Sequence, residues 1–246
     1  MMTSEVVLIT GASRGIGRAT AELFATRGWR VLINYYHSEA EALALRDKLR
    51  QQGCSVETFR ANVTDRSQVE AMVDTCSRIF GGIDLLINNA GIANSILFQE
   101  ITDSEWDRMI DVNLKSVYLC SQGVLRQMLP RKRGRIINIA SIWGITGAAC
   151  EVHYSAAKAG VIGLTKALAK ELGPSNIQVN CIAPGVIATE MLTGFNQDEL
   201  ADLKAQTPLG RLGTPMEIAA CAWFLASKEA DFITGQVISP NGGFVI

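Results

Sequence analysis

The chain is organised around the stretch SIWGITGAACEVHYSAAKAG, residues 141–160, because it places a hydroxyl, a phenol and an ammonium where they can converge. Tyr154 and Lys158 are four residues apart, and the run after them repeats apolar residues at helical spacing. We therefore expect both side chains on one face of a helix. An ammonium beside a phenol favours the phenolate and lowers a phenol pKa that starts near ~10. Tyr154 is thus predicted to act as a general acid near neutral pH.

Ser141 follows the strand-like run RIINIA, residues 135–140, and the connection to Tyr154 is long enough to return to the same cleft. A hydroxyl group at this position can hold a substrate oxygen. The alternative interpretations are a turn serine, a helix-start aromatic residue and a solvated lysine. Tyr154 is nevertheless the only one of the four tyrosines with a lysine four residues further on. The choice depends on whether the rest of the chain predicts a cofactor site at the same cleft.

The composition of the 246 residues, of which 48% are hydrophobic, allows a full buried core, and we expect a single domain over residues 1–246. The net charge of -1 gives no electrostatic reason to expect nucleic acid or an anionic membrane as a partner. No apolar run approaches the roughly 20 residues that a membrane span needs, and no signal-peptide pattern precedes the strand-like VVLIT. We expect a cytoplasmic protein.

The six cysteines are scattered through apolar or helical segments, without a CxxC motif and without a histidine at ligand spacing. In a reducing compartment this pattern is typical of buried thiols rather than of disulfides or a zinc site. We therefore predict no metal site.

A glycine-rich turn follows the apolar run VVLIT, residues 6–10, which has the character of a doubly buried parallel strand. In TGASRGIG three glycines precede the periodic run IGRATAELFATRG, so the turn opens a helix whose free amides can bind a pyrophosphate. The residues predicted to contact the cofactor here are Gly11, Ser13, Arg14, Gly15, Ile16 and Gly17. A strand before the turn and a helix after it make a dinucleotide site the expected structure.

The next predicted strand, RVLIN, ends about 20 residues after the glycines, where sites that prefer NAD usually carry an acid for the ribose 2′-hydroxyl. No acidic residue occurs there before Glu39. Arg14 in the glycine turn and the polar residues Tyr36, His37 and Ser38 opposite it favour a 2′-phosphate instead, and hence NADPH. The alternative for His37 is a solvated loop histidine.

Strands and helices alternate along the rest of the chain, which predicts a right-handed, doubly wound parallel sheet of the Rossmann type, with seven strands and helices on both faces. Polar residues or glycines follow several strands, at the edge where such sheets bind ligands. The residues assigned to the cofactor are Asn62 and Val63 beside adenine, Asn89, Ala90 and Gly91 beside a ribose, and Pro184, Gly185, Ile187 and the carboxamide-binding Thr189. Asn62 and Val63 otherwise merely end a strand.

Asn113 lies in the middle of DSEWDRMIDVNLKSVYLCSQGVLRQML, a segment long enough for one bent helix or two abutting helices. Asparagine has poor propensity for a helix interior. Two interpretations stay open: an ordinary surface residue, or a place where the helix opens so that a carbonyl and a water can serve Lys158.

The motifs TGASRGIG, NNAG, Asn113, Ser141, YxxxK and PGxxxT occur in this order and spacing, and nearly the whole chain resembles the short-chain dehydrogenases/reductases. The resemblance implies that Tyr154 donates a proton, that Lys158 lowers its pKa and binds the nicotinamide ribose, and that Ser141 orients a carbonyl group. It also implies a water-linked proton relay supported by Asn113, and hydride transfer from the nicotinamide to a ketone carbon. Members of this family are usually tetramers, so we expect a homotetramer.

Within that family the chain looks most like the bacterial 3-oxoacyl-acyl-carrier-protein reductases, through TGASRGIGRA, its length and the ending NGG. This implies NADPH-dependent reduction of a 3-oxoacyl thioester in fatty acid biosynthesis. Two departures are the absence of a basic residue in GPSNIQ and the segment AACEVHYS before the tyrosine. The wording IWG…CEVxYS is similar instead to reductases of the 5-aminopentanone modification of a translation elongation factor. The non-enzyme alternative is a redox sensor that binds NADP(H) without turnover, and the intact catalytic set argues against it.

Glu151 separates the two enzyme interpretations. It is either a helix N-terminal acid, which gains ~0.3 to 1 kcal/mol from the helix dipole, or a carboxylate that faces the cleft. In the cleft it would repel an acidic phosphopantetheine arm and attract a primary ammonium, with Trp143 covering the aliphatic stem of such a substrate.

Overall fold

Seven parallel strands form one sheet in the computed structural model of the chain, which describes residues 5–246. The strands are β1 (Val6–Ile9), β2 (Arg30–Tyr35), β3 (Val56–Arg60), β4 (Leu85–Asn88), β5 (Gly134–Ile139), β6 (Ile177–Ile182) and β7 (Val237–Ile238). Their order across the sheet is β3-β2-β1-β4-β5-β6-β7, and every neighbouring pair is parallel. The predicted seven-stranded parallel sheet is confirmed.

Helices cover both faces of this sheet. They are α1 (Gly15–Thr26), α2 (Glu39–Gln51), α3 (Arg66–Phe80), α4 (Asp103–Ile110), α5 (Ser116–Arg131), α6 (Trp143–Thr146), α7 (Val152–Leu172), α8 (Gln197–Ala205) and α9 (Pro215–Ala226). Phe24 and Leu225 belong to a buried layer that places α1 and α9 on one face. Met72, Val124 and Leu172 belong to a second layer that places α3, α5 and α7 on the other. This is the doubly wound arrangement that the alternation predicted.

The strand order changes direction at β1, which lies between β2 and β4. The chain first builds β2 and β3 on one side of β1 and then returns to build the remaining strands on the other side. Ile9 at the end of β1 is opposite Ile33 of β2 and Ile87 of β4, so the turns after these strands emerge side by side. Parallel sheets bind ligands in the crevice at such a switch point, outside the carboxyl ends of the strands.

Three aromatic rings anchor α1, the helix that follows the glycine turn. Phe24 packs edge-on against Trp29 and Trp223 with ring centroids 5.2 Å apart in each case, and the two tryptophans are 6.4 Å apart. Edge-to-face pairs of this kind contribute about 0.5–1.5 kcal/mol beyond the area that they bury. The cluster joins α1 to α9 and fixes the helix whose first turn faces the crevice.

Three chemical features of residues 5–246 bear on the classes of function. No helix in this part of the chain is long and apolar enough to cross a bilayer. Nor do these residues include a group of three or more histidine, cysteine or acidic side chains placed to hold a metal ion. All six cysteines are free, and Cys76, Cys120 and Cys181 are buried as predicted, whereas the other three are partly exposed.

Candidate active site

Tyr154 and Lys158 lie on the first turns of α7, on the side that faces β5. The Lys158 side chain is buried, with 4% of its surface exposed, and its Nζ donates a hydrogen bond of 2.9 Å to the carbonyl oxygen of Ile139. The same nitrogen is 5.6 Å from the centroid of the Tyr154 ring. The prediction that both side chains share one helix face is confirmed, and a solvated lysine is excluded.

Ser141 follows β5 at its carboxyl end and is buried. Its Oγ accepts a hydrogen bond of 3.2 Å from the amide of Trp143, which orients the hydroxyl at the start of the loop that leads to α7. The hydroxyl lies beside the Tyr154 phenol and interacts with it. The structure therefore brings Ser141, Tyr154 and Lys158 together at one end of β5, as predicted.

The pKa of Tyr154 runs against the sequence prediction. Burial raises the pKa of this phenol to about 12, the Ser141 hydroxyl lowers it, and the nearby Glu151 carboxylate raises it further. The predicted lowering of the phenol pKa is therefore wrong, because burial destabilises the phenolate more than the neighbouring hydroxyl group stabilises it. Burial also lowers the pKa of Lys158 to about 8, which leaves a mainly charged ammonium at pH 7. The phenol consequently stays protonated at that pH, which is the form a proton donor requires.

Asn113 lies in a π-helical segment, Asp111–Lys115, which separates α4 from α5. Its side chain is fully buried. The amide Nδ2 donates hydrogen bonds to the carbonyl oxygens of Ile92 and Met109 at 3.0 and 3.1 Å, and Oδ1 accepts one from the Ile92 amide at 3.2 Å. The helix therefore opens at this residue, and Asn113 ties the opening to the loop after β4. That a carbonyl and a water at the opening serve Lys158 stays a prediction.

Gly91 lies in that loop, between Asn113 and Lys158. A Cβ on Gly91 would be 2.8 Å from Asn113 Oδ1 and 3.4 Å from Lys158 Nζ. The loop backbone thus passes directly beside the ammonium, and only a residue without a side chain leaves this space free.

The glycine turn is clamped against the loop after β4 by Asn89. The Asn89 amide donates to the carbonyl oxygens of Thr10 and Gly11 at 2.9 and 3.0 Å. A Cβ on Gly17 would lie 2.4 Å from Asn89 Nδ2 and 2.6 Å from the Gly11 oxygen, while Gly11 itself has a φ of +62°. The first turn of α1 therefore packs directly on the backbone of the glycine turn. This close packing is what a pyrophosphate-binding loop requires.

Arg14, the residue that precedes α1, makes no side-chain capping bond, and the first turn of the helix contains no acidic residue. The first backbone N–H groups of α1 therefore donate no hydrogen bond to the side chain at the N-cap position. Ser13 is buried beside them, Ile16 is partly buried, and the Arg14 side chain is exposed. The loop fits an anion at the helix N-terminus, where the dipole favours negative charge.

Tyr36 and His37 are exposed after β2, with ring centroids 4.3 Å apart, and Ser38 lies just before α2. A cation that the sequence analysis missed stands beside them. Arg60 ends β3, its guanidinium lies 5.8 Å from the centroid of the Tyr36 ring, and its Nε donates to the Tyr36 carbonyl oxygen at 3.1 Å. The first acid, Glu39, accepts a hydrogen bond of 2.8 Å from the Tyr35 hydroxyl.

Asn62 and Val63 follow β3 at the same edge of the sheet. The Asn62 Oδ1 accepts hydrogen bonds from the amide and hydroxyl of Thr64 at 3.0 and 2.9 Å, which closes a turn before α3. Val63 is buried. Both residues therefore serve the turn, and their contact with adenine stays a prediction.

The segment from Pro184 to Thr189 runs from the Ser141 loop to the glycine turn. The Pro184 carbonyl oxygen accepts a hydrogen bond of 3.0 Å from the Ile142 amide. Ile187 is buried and pairs with Gly213, and the Thr189 methyl lies 3.5 Å from the position of a Cβ on Gly15. Gly185 packs on Asn241, where a Cβ would be 2.7 Å from the asparagine Cα. This segment thus connects the Ser141 loop with the glycine turn at the same edge of the sheet.

Glu151 occupies the position before the first residue of α7, but its side chain makes no capping hydrogen bond. It is half-buried, burial raises the pKa of its carboxyl group, and its charge raises the pKa of Tyr154. These observations favour the cleft-facing interpretation over a solvated helix cap. Trp143, also half-buried, packs edge-on against Phe244 with ring centroids 5.6 Å apart.

A family model described as enoyl-(acyl carrier protein) reductase matches residues 11–245 of the chain. The chain is 44% identical over 242 residues to the 3-oxoacyl-[acyl-carrier-protein] reductase FabG of Vibrio cholerae, and the match covers 98% of each protein. The FabG proteins of Escherichia coli and Staphylococcus aureus are 44% and 42% identical, over 97% and 99% of this chain and 96% and 99% of their own. The chain belongs to the short-chain dehydrogenases/reductases. It is an oxidoreductase that acts on a ketone/alcohol pair.

The glycine cradle gives a direct test of the cofactor site. Gly17→Ala should weaken NADPH binding at least ~10-fold, the equivalent of about 1.4 kcal/mol, because the added methyl forces the turn away from Asn89. Fluorescence titration measures the Kd. Gly173→Ala is the matched control, since its Cβ would meet nothing within 4 Å. Unchanged affinity in Gly17→Ala would contradict the assignment.

Proposed function

We propose that the chain is an NADPH-dependent carbonyl reductase that converts a 3-oxoacyl thioester, carried by acyl carrier protein in fatty acid biosynthesis, into its 3-hydroxy product. The observation that carries this proposal is the convergence of Ser141, Tyr154 and Lys158 at the sheet edge where the glycine turn opens. The names of the relatives, at 42 to 44% identity over nearly the whole chain, support the thioester substrate.

The proton chemistry of the proposed reaction follows from three side chains. The Tyr154 phenol, protonated at pH 7, donates its proton to the carbonyl oxygen while Ser141 holds that oxygen by its hydroxyl group. The Lys158 ammonium stabilises the phenolate that remains. Bound NADPH supplies the hydride that the carbonyl carbon gains. The product therefore receives one hydride at carbon and one proton at oxygen.

Asn113 supports the site from the side of α4 and α5. Its bonds to Ile92 hold the loop that passes Gly91 beside Lys158. We assign to it the support of a water-linked relay, which returns a proton through the lysine to Tyr154 after each turnover.

The dinucleotide fits along the carboxyl edge of the sheet, across the switch point between β1 and β4. The residues that we assign to it are Gly11, Ser13, Arg14, Gly15, Ile16, Gly17, Tyr36, His37, Ser38, Asn62, Val63, Asn89, Ala90, Gly91, Tyr154, Lys158, Pro184, Gly185, Ile187 and Thr189. The exposed cations Arg14 and Arg60, together with the engagement of Glu39 by Tyr35, support NADPH over NADH.

We further propose that the chain acts as one domain in a cytoplasmic homotetramer. The family resemblance motivates the tetramer. The apolar side chains of Phe232 and Ile246 are fully exposed, and Phe224 on α9 is also exposed. Exposed apolar side chains of this kind support a contact with other subunits.

Removal of the phenol hydroxyl tests the proton donor. Tyr154→Phe should lower kcat for an acetoacetyl thioester by ~10² to 10⁴ and leave the NADPH Kd nearly unchanged, because the variant lacks only the donor. Lys158→Ala should damage both quantities. Tyr118→Phe, an exposed tyrosine on α5, is the control. Retention of more than about a tenth of kcat by Tyr154→Phe would contradict the assignment.

The cofactor preference tests the role of Arg14. The wild-type chain should prefer NADPH to NADH in kcat/KM, and Arg14→Ala should narrow the preference about 10-fold by removing a charge-assisted contact with the 2′-phosphate. Arg126→Ala, whose guanidinium is exposed on α5, should leave the preference intact. Equal use of the two cofactors by the wild-type chain would show that Arg14 does not read the 2′-phosphate.

A second candidate function is reduction of an amine-bearing ketone, such as the 5-aminopentanone modification of a translation elongation factor. The observation that favours it is the half-buried Glu151 carboxylate beside the proton donor. A buried carboxylate attracts an ammonium more strongly than a neutral amide does, and it repels phosphopantetheine.

Glu151→Gln separates the two substrates. If the chain reduces an amine-bearing ketone, kcat/KM of the variant for a short aminoketone should fall about 10-fold, because the substrate ammonium loses its charged partner. Its activity on an acetoacetyl thioester should stay the same or rise. Glu171→Gln, near the other end of α7, is the control. An aminoketone that is no substrate, or equal responses of the two substrates, would exclude the amine reading and leave the thioester.

A further inference from the structure

Three polar contacts join α7 to β5 and to Ser141 just after it, and they occur in reverse order along the two segments. Tyr154 faces Ser141, and Lys158 Nζ donates to the carbonyl oxygen of Ile139 at 2.9 Å. Further along the helix, the Asn138 amide donates to Thr165 Oγ1, also at 2.9 Å. Only the first two contacts lie in the active site. The third lies below it and has no role in the proposed chemistry.

Both partners of the third contact make a further hydrogen bond. Thr165 and Asn138 are both fully buried. The Thr165 hydroxyl donates to the Val161 carbonyl oxygen at 2.8 Å and accepts from Asn138, so its single proton is used once. The Asn138 Oδ1 accepts from Asn88 of β4 at 2.9 Å, and Asn88 also donates to Ser121 of α5 at 3.2 Å. A continuous polar chain thus crosses the core from α5 to α7.

Hydrogen bonds of this kind fix the position of α7 along β5, which apolar packing alone does not determine. Lys158 and Thr165 are seven residues apart, two helical turns, and therefore share one face of α7. The other buried residues on the inner side of this helix include Ala157, Val161 and Ala169, whose burial is favourable but not directional. A hydrogen bond of 2.9 Å, in contrast, weakens steeply when its angle or length changes.

We propose that Thr165 is a positioning residue: through Asn138 it sets the register of α7 against β5, and so aligns Tyr154 and Lys158 with Ser141. This inference rests on the proposed function for its catalytic consequence. Loss of the contact leaves the buried Asn138 amide without its acceptor, and the helix shifts to relieve it. The displacement reaches the active site because the helix between Thr165 and Tyr154 is continuous.

Thr165→Val, which keeps the shape of the side chain and removes its hydroxyl, tests the proposal. We expect kcat to fall by ~10-fold or more while KM for the ketone stays within about twofold, since misplacement of catalytic groups by about 1 Å is costly. The NADPH Kd should rise at least ~3-fold, because Lys158 moves with the helix. Thr165→Ser restores the hydroxyl group and should restore both kcat and the NADPH Kd.

Thr20→Val is the matched control. Thr20 is equally buried in a helix, and its hydroxyl also donates to a carbonyl oxygen four residues back, Ile16, at 2.8 Å, but no described strand residue donates to it. Both valine variants should lose thermal stability, Thr165→Val the more because it also leaves the Asn138 amide without an acceptor, and only Thr165→Val should lose kcat and NADPH affinity. If Thr165→Val does not fold, Thr165→Ala gives the same comparison.

Two results would overturn the proposal. One is a Thr165→Val enzyme whose kcat and NADPH Kd match those of Thr20→Val, and the other is a Thr165→Ser enzyme that remains as impaired as Thr165→Val. Failure of the proposed function is a separate result, since it is seen in the wild-type chain as the absence of ketone reduction. In that event the NADPH Kd still tests the register.

Discussion

The buried ammonium of Lys158 is the constraint on which the site depends. Taking a charge out of water is costly, and burial accordingly lowers its pKa to about 8. The Ile139 carbonyl oxygen at the end of β5 accepts a hydrogen bond from one of the three N–H groups of this ammonium. Gly91 leaves open space beside the same nitrogen, where a side chain would crowd it. The end of β5, the loop after β4 and the first turns of α7 must therefore hold one arrangement, and the fold supplies it by ending parallel strands at one edge.

The sequence predicted the features that depend on local pattern. The four-residue spacing of Tyr154 and Lys158, and the glycines between a strand and a helix, follow from periodicity and backbone sterics, and the structure has them where expected. The open choice at Asn113 could not be made from the sequence, because a π-helical segment changes the hydrogen-bond pattern without leaving a clear periodicity. Arg60 was missed because its position beside Tyr36 follows from the pairing of β2 with β3. The predicted lowering of the Tyr154 pKa was wrong because a sequence does not give the depth of burial.

The chemistry and the substrate are specified by different parts of the molecule. Ser141 and Lys158 are buried at the strand ends, where they contact the Trp143 amide and the Ile139 carbonyl oxygen. Glu151 and Trp143 are partly exposed, near the start of α7 and after β5. We therefore expect substrate choice to depend on these partly exposed residues, and the reduction itself to depend on the buried groups below them.

We propose that one cleft holds the dinucleotide and the ketone together, so that hydride passes directly between them. The most direct measurement uses NADPH carrying deuterium at the transferred position of its nicotinamide ring, with an acetoacetyl thioester as substrate and NMR detection of the product. We expect deuterium at the former carbonyl carbon of the 3-hydroxy product, with the hydroxyl proton drawn from water. A product that carries no deuterium at that carbon, or cofactor oxidation without any alcohol, would contradict it.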